Sequence, residues 1–582
     1  MTKWLGLAAV SAIAVVSGCA TGPVAPPAPM AVAAPAYDLL IRGGTIYDGT
    51  GGAPYIGDVA VSGDRIVHVG PAREATAARI VDASGLAVAP GFINMLSWST
   101  ESLLVDPRGQ SELRQGITLE VMGEGWSMGP LTDEMKALAI KQQGDVKFPI
   151  EWTTLGDYLN FLERKGTSLN IASFVGATTV RQHVLGEGDV DPDPAQLDRM
   201  RGLVRQAMEE GAMGVGSSLI YPPATFAETD ELVALVSEAG RCGGMYISHM
   251  RSEGDRLLES VDELIDISRR SGAPAEIYHL KQAGRANWGK LDQVVKHVEA
   301  ARAAGLRITA DMYTYTAGGT GVAASMPPWV QDGGVDSMLK RLKDPAVVAR
   351  IKREMGKPGT DWENLYFHAG PDGIRLSAVA EESLKPLIGK TIGEIAKLRG
   401  VAPEQAVIDL VIEDQGRSGA IYFLMNEDNV RRQTAIPWVS FGSDAEASAP
   451  EGVFLKSSTH PRAYGNFARF LGKYVRDEKT APLADAIRRL TALPASNLGL
   501  SDRGKLAPGM AADVVLFDPA TIADHATFEK PMQYATGVRD VFVNGVQVLK
   551  GGEPTGATPG RFVRGPGWTG WPGGGACRAR ND

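Results

Sequence analysis

"VDASGLAVAPGFINMLSWS", residues 81–99, holds the boundary on which the fold turns. Up to Gly91 it closes a short alternating run. With "GFIN" it enters the first strand of a different kind of architecture. Upstream, "YDLLIRGGTIYDGTG" (37–51) and "GDVAVSGDRIVHVG" (57–70) alternate polar and apolar residues and are broken by Gly and Asp, the pattern of hairpin strands. Near the other end, "KLAPGMAADVVLFDP" (505–519) and "VRDVFVNGVQVLKGG" (538–552) have the same character. There Asn544-Gly545 sits between two apolar runs, a strong hairpin signal. Downstream of Gly91, apolar strands such as "GAMGVGSSLIY", "GMYISHMR", "AEIYHLKQ" and "RITADMYTY" alternate with helical patterns such as "RLLESVDELIDISRRSG". Strand and helix alternating over roughly 400 residues predict a parallel sheet and, at that length, a (β/α)8 TIM-type barrel. The fold class expected is therefore α/β.

The chain has 582 residues, with 44% hydrophobic and 22% charged side chains, as in an ordinary globular protein. A net charge of −9 and the lack of a dense Lys/Arg run argue against a nucleic-acid partner. The first residues do not belong to the fold. Lys3, the apolar stretch Trp4–Val16 and the small residues before Cys19 read as a signal peptide. "VSGC" resembles a bacterial lipobox, which implies lipidation of Cys19, while plain secretion with an incidental cysteine is the alternative. The expected location is the periplasmic side of the cell envelope, on the outer membrane of a Gram-negative bacterium, with membrane contact only through that lipid anchor. The Pro/Ala-rich segment that follows reads as a tether. Beyond it only Cys242 and Cys577 remain, too few for a disulfide scaffold.

Strands from both chain ends around a barrel resemble the amidohydrolase superfamily. Within it the chain is similar to the D-aminoacylase (N-acyl-D-amino-acid deacylase) family from about Tyr37 to Gly552. The motifs that carry the resemblance are "GGTIYDGTG", "APGFI", "SHMRSEG", "YHLKQAG", "ADMYTYTAGG", "GSDA", "THPRAYG" and "LPASNLGLSDRGKLAPGMAADVVLFDP". Each is short, and their order and spacing make the match. The organisation implied is a signal peptide (1–19), a tether (20–36), a small β-sandwich domain built from 37–90 and 501–552, and a barrel from 91–326 and 426–500. An inserted, lid-like segment (327–425) and a C-terminal tail (553–582) complete it.

Amide hydrolysis needs a nucleophilic water and a polarised carbonyl, and one Zn2+ with three protein ligands can supply both. His249 and His279 each close an apolar strand, and strand C-termini of a barrel face its active site. Two buried, satisfied histidines are the plain alternative; the family motifs favour metal ligands. The family's third ligand is a cysteine in a Gly-Asn-Cys-Gly turn. This chain has "VMGEGWSMGPL" there, and Glu124 falls near the cysteine's place, which implies a carboxylate ligand. Asp444 in "GSDA" matches the aspartate that takes a proton from the attacking water and passes it to the leaving amine, although an Asx turn or N-cap would also place an aspartate there. Arg462 in "THPRAYG", Lys281 and Tyr313 match residues that bind the substrate's free carboxylate, so the partner implied is a small molecule carrying one. One zinc per chain is expected, because the His-x-His pair serving a second metal is Leu96 and Trp98 here. Trp98 is expected to floor the pocket with apolar surface.

Further departures are Gly319, where the family has a serine, and Ala177, where relatives have histidine. Ser217 and Ser218 lack the elbow of a serine hydrolase, and "AMGVGSSLIYPP" lacks the spacing of a phosphate loop. His368 and His460 read as surface residues or residues behind the site. The activity implied is deacylation of N-acyl-D-amino acids. A cyclic or dipeptide-type amidase, a metal-free binding lipoprotein and an envelope scaffold are the other readings.

Overall fold

Eight parallel strand segments follow Pro90, and six of them lead into the residues the sequence singles out: Trp98, Glu124, His249, His279, Tyr313 and Asp444. In the computed structural model they are β1 (Phe92–Asn94), β2 (Ile117–Met122), β3 (Asn170–Ser173), β4 (Gly214–Ser218), β5 (Met245–His249), β6 (Ala275–Ile277), β7 (Ile308–Met312) and β8 (Val439–Phe441). Residues 11–12, 36–72, 75–574 and 576–577 are described. Cys19, nearly all of the signal segment and the tether lie outside them.

The strands pair in order as parallel neighbours, with Val175–Gly176 extending β3 onto β4. The ring closes between β1 and β8. Met95 N–H donates to Phe441 O at 3.1 Å, and Ser97 bridges Ala445 in parallel. The strands are buried on both faces, so their sequences lack the regular polar–apolar alternation of a half-exposed sheet. The connecting helices follow from local rules. Asp193 caps Pro194–Glu210, with Pro at the first turn and Gly211 in the left-handed region at its end. Met200, Val204, Ala207 and Met208 form its buried stripe.

Residues from both chain ends form a nine-stranded sheet. Ala87–Pro90 pairs antiparallel with Val514–Phe517, which joins the two halves. Where a sandwich is expected, hydrogen bonds link these strands into one continuous sheet over a core of Leu39, Ile41, Val59, Val88, Val514 and Leu516. Asn544 and Gly545 take φ of 49° and 81°, as the two-residue hairpin turn requires.

The inserted segment has a core of its own, including Val322, Ile351, Ile374, Ile392 and Leu410. Its three-stranded antiparallel sheet consists of Ala317–Gly321, Ile374–Ala378 and Gly419–Phe423. It therefore starts ahead of residue 327. "AGGTG" carries little strand propensity, and pairing with Gly419–Phe423 makes it a strand.

Residues after 553 are more than a tail. Ile171 N–H donates to Arg561 O (3.0 Å), Val563 N–H to Ile171 O (2.8 Å) and Gly565 N–H to Gly211 O (2.8 Å). Phe562 is buried, and Cys577 is disulfide-bonded to Cys242 across 335 residues of sequence. A crosslink over so long a loop is worth about 2–4 kcal/mol. Cys577→Ser is expected to lower the free energy of unfolding in urea by that amount, with a correspondingly lower midpoint, and reductant is expected to bring the wild type to the same midpoint. A wild type indifferent to reductant would show that the crosslink does not stabilise the fold.

Candidate metal centre

Two glycines aim Glu124. Just past β2, Gly123 and Gly125 have φ of 103° and 72°, and a Cβ on Gly123 would lie 2.3 Å from the Phe174 carbonyl oxygen. The tight turn swings the carboxylate, 4% exposed, over the barrel mouth. His249 is the last residue of β5. His279 lies just beyond β6, at φ 33°, and its backbone N–H donates to Asp311 Oδ1 at 2.9 Å. Asp444, beyond β8, also has positive φ (50°), and its N–H donates to Leu96 O at 2.8 Å. Left-handed backbone at two non-glycine residues is unfavourable locally, and here both belong to the site.

These strand ends bring the three predicted ligands together. Glu124 Oε1 lies 3.1 Å from His249 Nδ1 and 2.9 Å from His279 Nε2. The two imidazoles stand edge to face, centroids 4.5 Å apart, and the three donor atoms lie within 4.8 Å of one another. Burial works against charge on Glu124, but the charges and hydrogen bonds of His279 and His249 hold its carboxyl well below the usual range. Burial and the Lys281 ammonium push His279 down, yet Glu253 and Glu124 outweigh them and lift it to about 10. Two imidazole nitrogens and one carboxylate oxygen, buried and converging, fit a zinc ion with an open position.

Sequence reasoning missed Glu253, which lies behind the histidines. Its Oε1 is 3.0 Å from His279 Nδ1 and its Oε2 is 3.4 Å from His249 Nε2. A carboxylate on the outer nitrogens fixes ring orientation and raises ligand basicity. The signal was its place in "SHMRSEG", four residues after His249. Lys281 Nζ lies 2.6 Å from both Glu253 Oε1 and His279 Nδ1. The structure thus puts Lys281 in the cavity wall with its ammonium held by Glu253.

The remaining predicted residues surround a cavity of about 640 Å³. Arg462, 4% exposed, places Nη1 2.6 Å from Asp444 Oδ2 and its guanidinium 4.5 Å from the centre of the Tyr313 ring. That ionic contact lacks hydrogen-bond alignment. Arg462 Nε and Nη1 and the Tyr313 hydroxyl are buried without a hydrogen-bond partner among the described residues. A Cβ on Gly319 would lie 3.5 Å from Arg462 Nη2, which places the family's serine position beside this arginine. Burial raises the Asp444 carboxyl above its ordinary value, with Arg462 pulling the other way. Leu365, Ile421 and Tyr422 of the insert also line the cavity.

Trp98 is not simply an apolar floor. Its indole N–H donates to Glu124 Oε2 (2.9 Å) and to Asp444 Oδ1 (3.1 Å). Neither His460 nor His368 lies on the surface. His460 is buried in the cavity wall, its Nε2 2.9 Å from Ala317 O, and burial holds it well below its ordinary pKa. The His368 side chain is 5% exposed, and its Nε2 lies 3.3 Å from Asp255 Oδ2.

An amidohydrolase family profile matches residues 79–549. The D-aminoacylase of Alcaligenes xylosoxydans xylosoxydans is 33% identical over 531 residues, covering 90% of this chain and 97% of that protein. The N-acyl-D-glutamate deacylase of Bordetella bronchiseptica, solved with zinc and a phosphonate mimic of the tetrahedral intermediate, superposes with a TM-score of 0.75. It is 30% identical, over 91% of this chain and 99% of that one. A D-aminoacylase with a binuclear metal centre, in which one metal activates and the second attenuates, gives a TM-score of 0.74. It is 31% identical, over 91% of this chain and 100% of that one. The barrel, the converging ligands and these likenesses agree: the chain belongs to the amidohydrolase family and, within it, to the D-aminoacylases.

Proposed function

We propose that this chain hydrolyses linear amides of N-acyl-D-amino acids, with one zinc held by Glu124, His249 and His279 and with Asp444 as general base and acid. Metal-dependent amide hydrolysis is the chemistry of the family; the substrate and the roles of residues are our reading. One observation carries it. Beside the three ligands, Arg462 and Tyr313 present buried donors that have no hydrogen-bond acceptor among the described residues. A buried donor is costly unless a ligand pairs with it, and a guanidinium best matches a carboxylate.

Zinc bound there would supply the Lewis acidity that polarises the amide carbonyl and makes water nucleophilic near neutral pH. The chain's own groups do the rest. Arg462 and Trp98 engage both oxygens of Asp444. A substrate carboxylate arriving at Arg462 draws the guanidinium towards itself and frees Asp444 Oδ2 to accept the proton of the attacking water. The same carboxyl then delivers the proton to the departing amine. The Tyr313 hydroxyl is placed to donate to a substrate oxygen. The insert residues on the cavity wall support a lid that keeps bulk water out.

We place the protein in the cell envelope, tethered through Cys19. The lipobox-like "VSGC" supports this, and so does the Cys242–Cys577 disulfide, which belongs to an oxidising compartment.

The test is a substrate panel on zinc-loaded protein: N-acetyl-D-amino acids with apolar, acidic and basic side chains, their L enantiomers, carboxamide-capped forms and a hydantoin. Turnover of D substrates with a free carboxylate, lost on capping, is the expected result. Hydrolysis of the hydantoin alone, or of no panel member, would overturn the reading.

A further inference from the structure

Two carboxylates of different function share one hydrogen-bond donor. Glu124 turns Oε1 to the histidines and Oε2 to the Trp98 N–H, and Asp444 turns Oδ1 to the same N–H. Leu96, the other residue standing where the family's His-x-His pair is expected, points elsewhere. It is fully buried, in one cluster with Ile93, Met95 and Leu119.

We propose that Trp98 is a positioning residue whose indole N–H occupies the place of a second cation between Glu124 and Asp444, making the centre strictly mononuclear. The inference rests on the metal reading above. The N–H dipole supplies positive potential between the two neighbouring carboxylates, on the side of Asp444 away from the Arg462 guanidinium that faces Oδ2. The donor fixes Glu124 so that Oε1 alone faces the metal position, and it fixes Asp444 beside the reacting water. The ring fills the space a second metal would need and offers it no lone pair. The related D-aminoacylase with a binuclear centre is attenuated by its second metal. By this argument the present chain has no such attenuation.

The test uses the full chain, its zinc stoichiometry and affinity measured by competition with a chromophoric chelator, alongside kcat and KM. Wild type is expected to bind a single zinc and keep its rate in excess zinc. Trp98→Phe, which keeps bulk and loses the donor, is expected to lose about 10–100-fold in zinc affinity and in kcat with KM nearly unchanged. Trp98→Gln, whose amide nitrogen lies as many bonds from Cα as the indole nitrogen, is expected to recover most of both. A second zinc in wild type, attenuation by excess zinc, or a Trp98→Phe variant equal to wild type in affinity and kcat would overturn the proposal. If Trp98→Phe does not fold, wild-type stoichiometry and the response to excess zinc still decide. A wild type that takes no zinc at all would instead overturn the metal reading itself.

Discussion

Glu124→Ala is expected to abolish zinc binding at stoichiometric metal and to cut kcat/KM on the order of 10³-fold or more, since metal polarisation is worth several kcal/mol. The variant leaves two imidazoles, whose outer nitrogens still face Glu253, with no third ligand between them. His249→Ala is expected to match it. Glu124→Cys restores a thiolate of the kind the family uses and is expected to hold zinc, which separates loss of a ligand from loss of the fold. The pH dependence has a definite sign. His279 is lifted to about 10 in the metal-free protein, so at neutral pH it carries a proton that zinc must displace. Zinc affinity therefore rises with pH, about tenfold per pH unit for each proton released, and levels off only as His279 loses its proton near 10. Calorimetry in two buffers of different ionisation enthalpy measures the proton directly. Full zinc content in Glu124→Ala, or binding with no proton released, would refute the assignment.

The barrel was legible because its strands are apolar runs whose histidines fall at strand ends, and periodicity reports that placement directly. Glu124 was legible only by register, since the loop around it is held by glycines rather than by a pattern. Glu253 was not, because a carboxylate behind a histidine looks in sequence like any solvated glutamate; its role depends on where β5 and β6 place His249 and His279. Trp98 illustrates the same limit. Its ring suggested apolar surface, whereas its function in the site comes from one polar atom and two acceptors 26 and 346 residues away. The burial of His460 follows from its packing against Tyr313, Tyr315 and Phe528, contacts to the end of β7 and to the C-terminal segment. The C-terminal residues carried no strand signal. They are held by backbone hydrogen bonds to the barrel floor and by a disulfide whose partner is distant in sequence.

Asp444→Asn tests the base apart from the metal. Asparagine keeps the shape, tolerates the left-handed backbone that Asp444 adopts at φ 50°, and can still accept the Trp98 N–H through its amide oxygen. It cannot take a proton from water. The expected result is therefore a fall of about 10²–10⁴-fold in kcat, the range for a lost general base, with zinc content at the wild-type level. Asp444→Ala would confound this, since it removes the partner of Arg462 and also places a residue without a local polar side chain in a left-handed conformation. Arg462→Lys completes the comparison. It keeps the charge beside Asp444 but loses the fork that suits a carboxylate, so its expected effect is a rise in KM for free-carboxylate substrates with a smaller change in kcat. If Asp444→Asn kept its rate, the proton would have to travel by another group. The cavity offers Tyr313, raised to about 12 by burial and therefore too weakly acidic to shuttle protons at neutral pH, and His460, which burial holds in its neutral form. Glu253 is occupied by Lys281 and the two histidines. The wall also carries Glu101 and Glu446, whose carboxyls burial raises, but Asp444 is the one whose oxygen shares the Trp98 N–H with the proposed ligand Glu124, which places it beside the metal position.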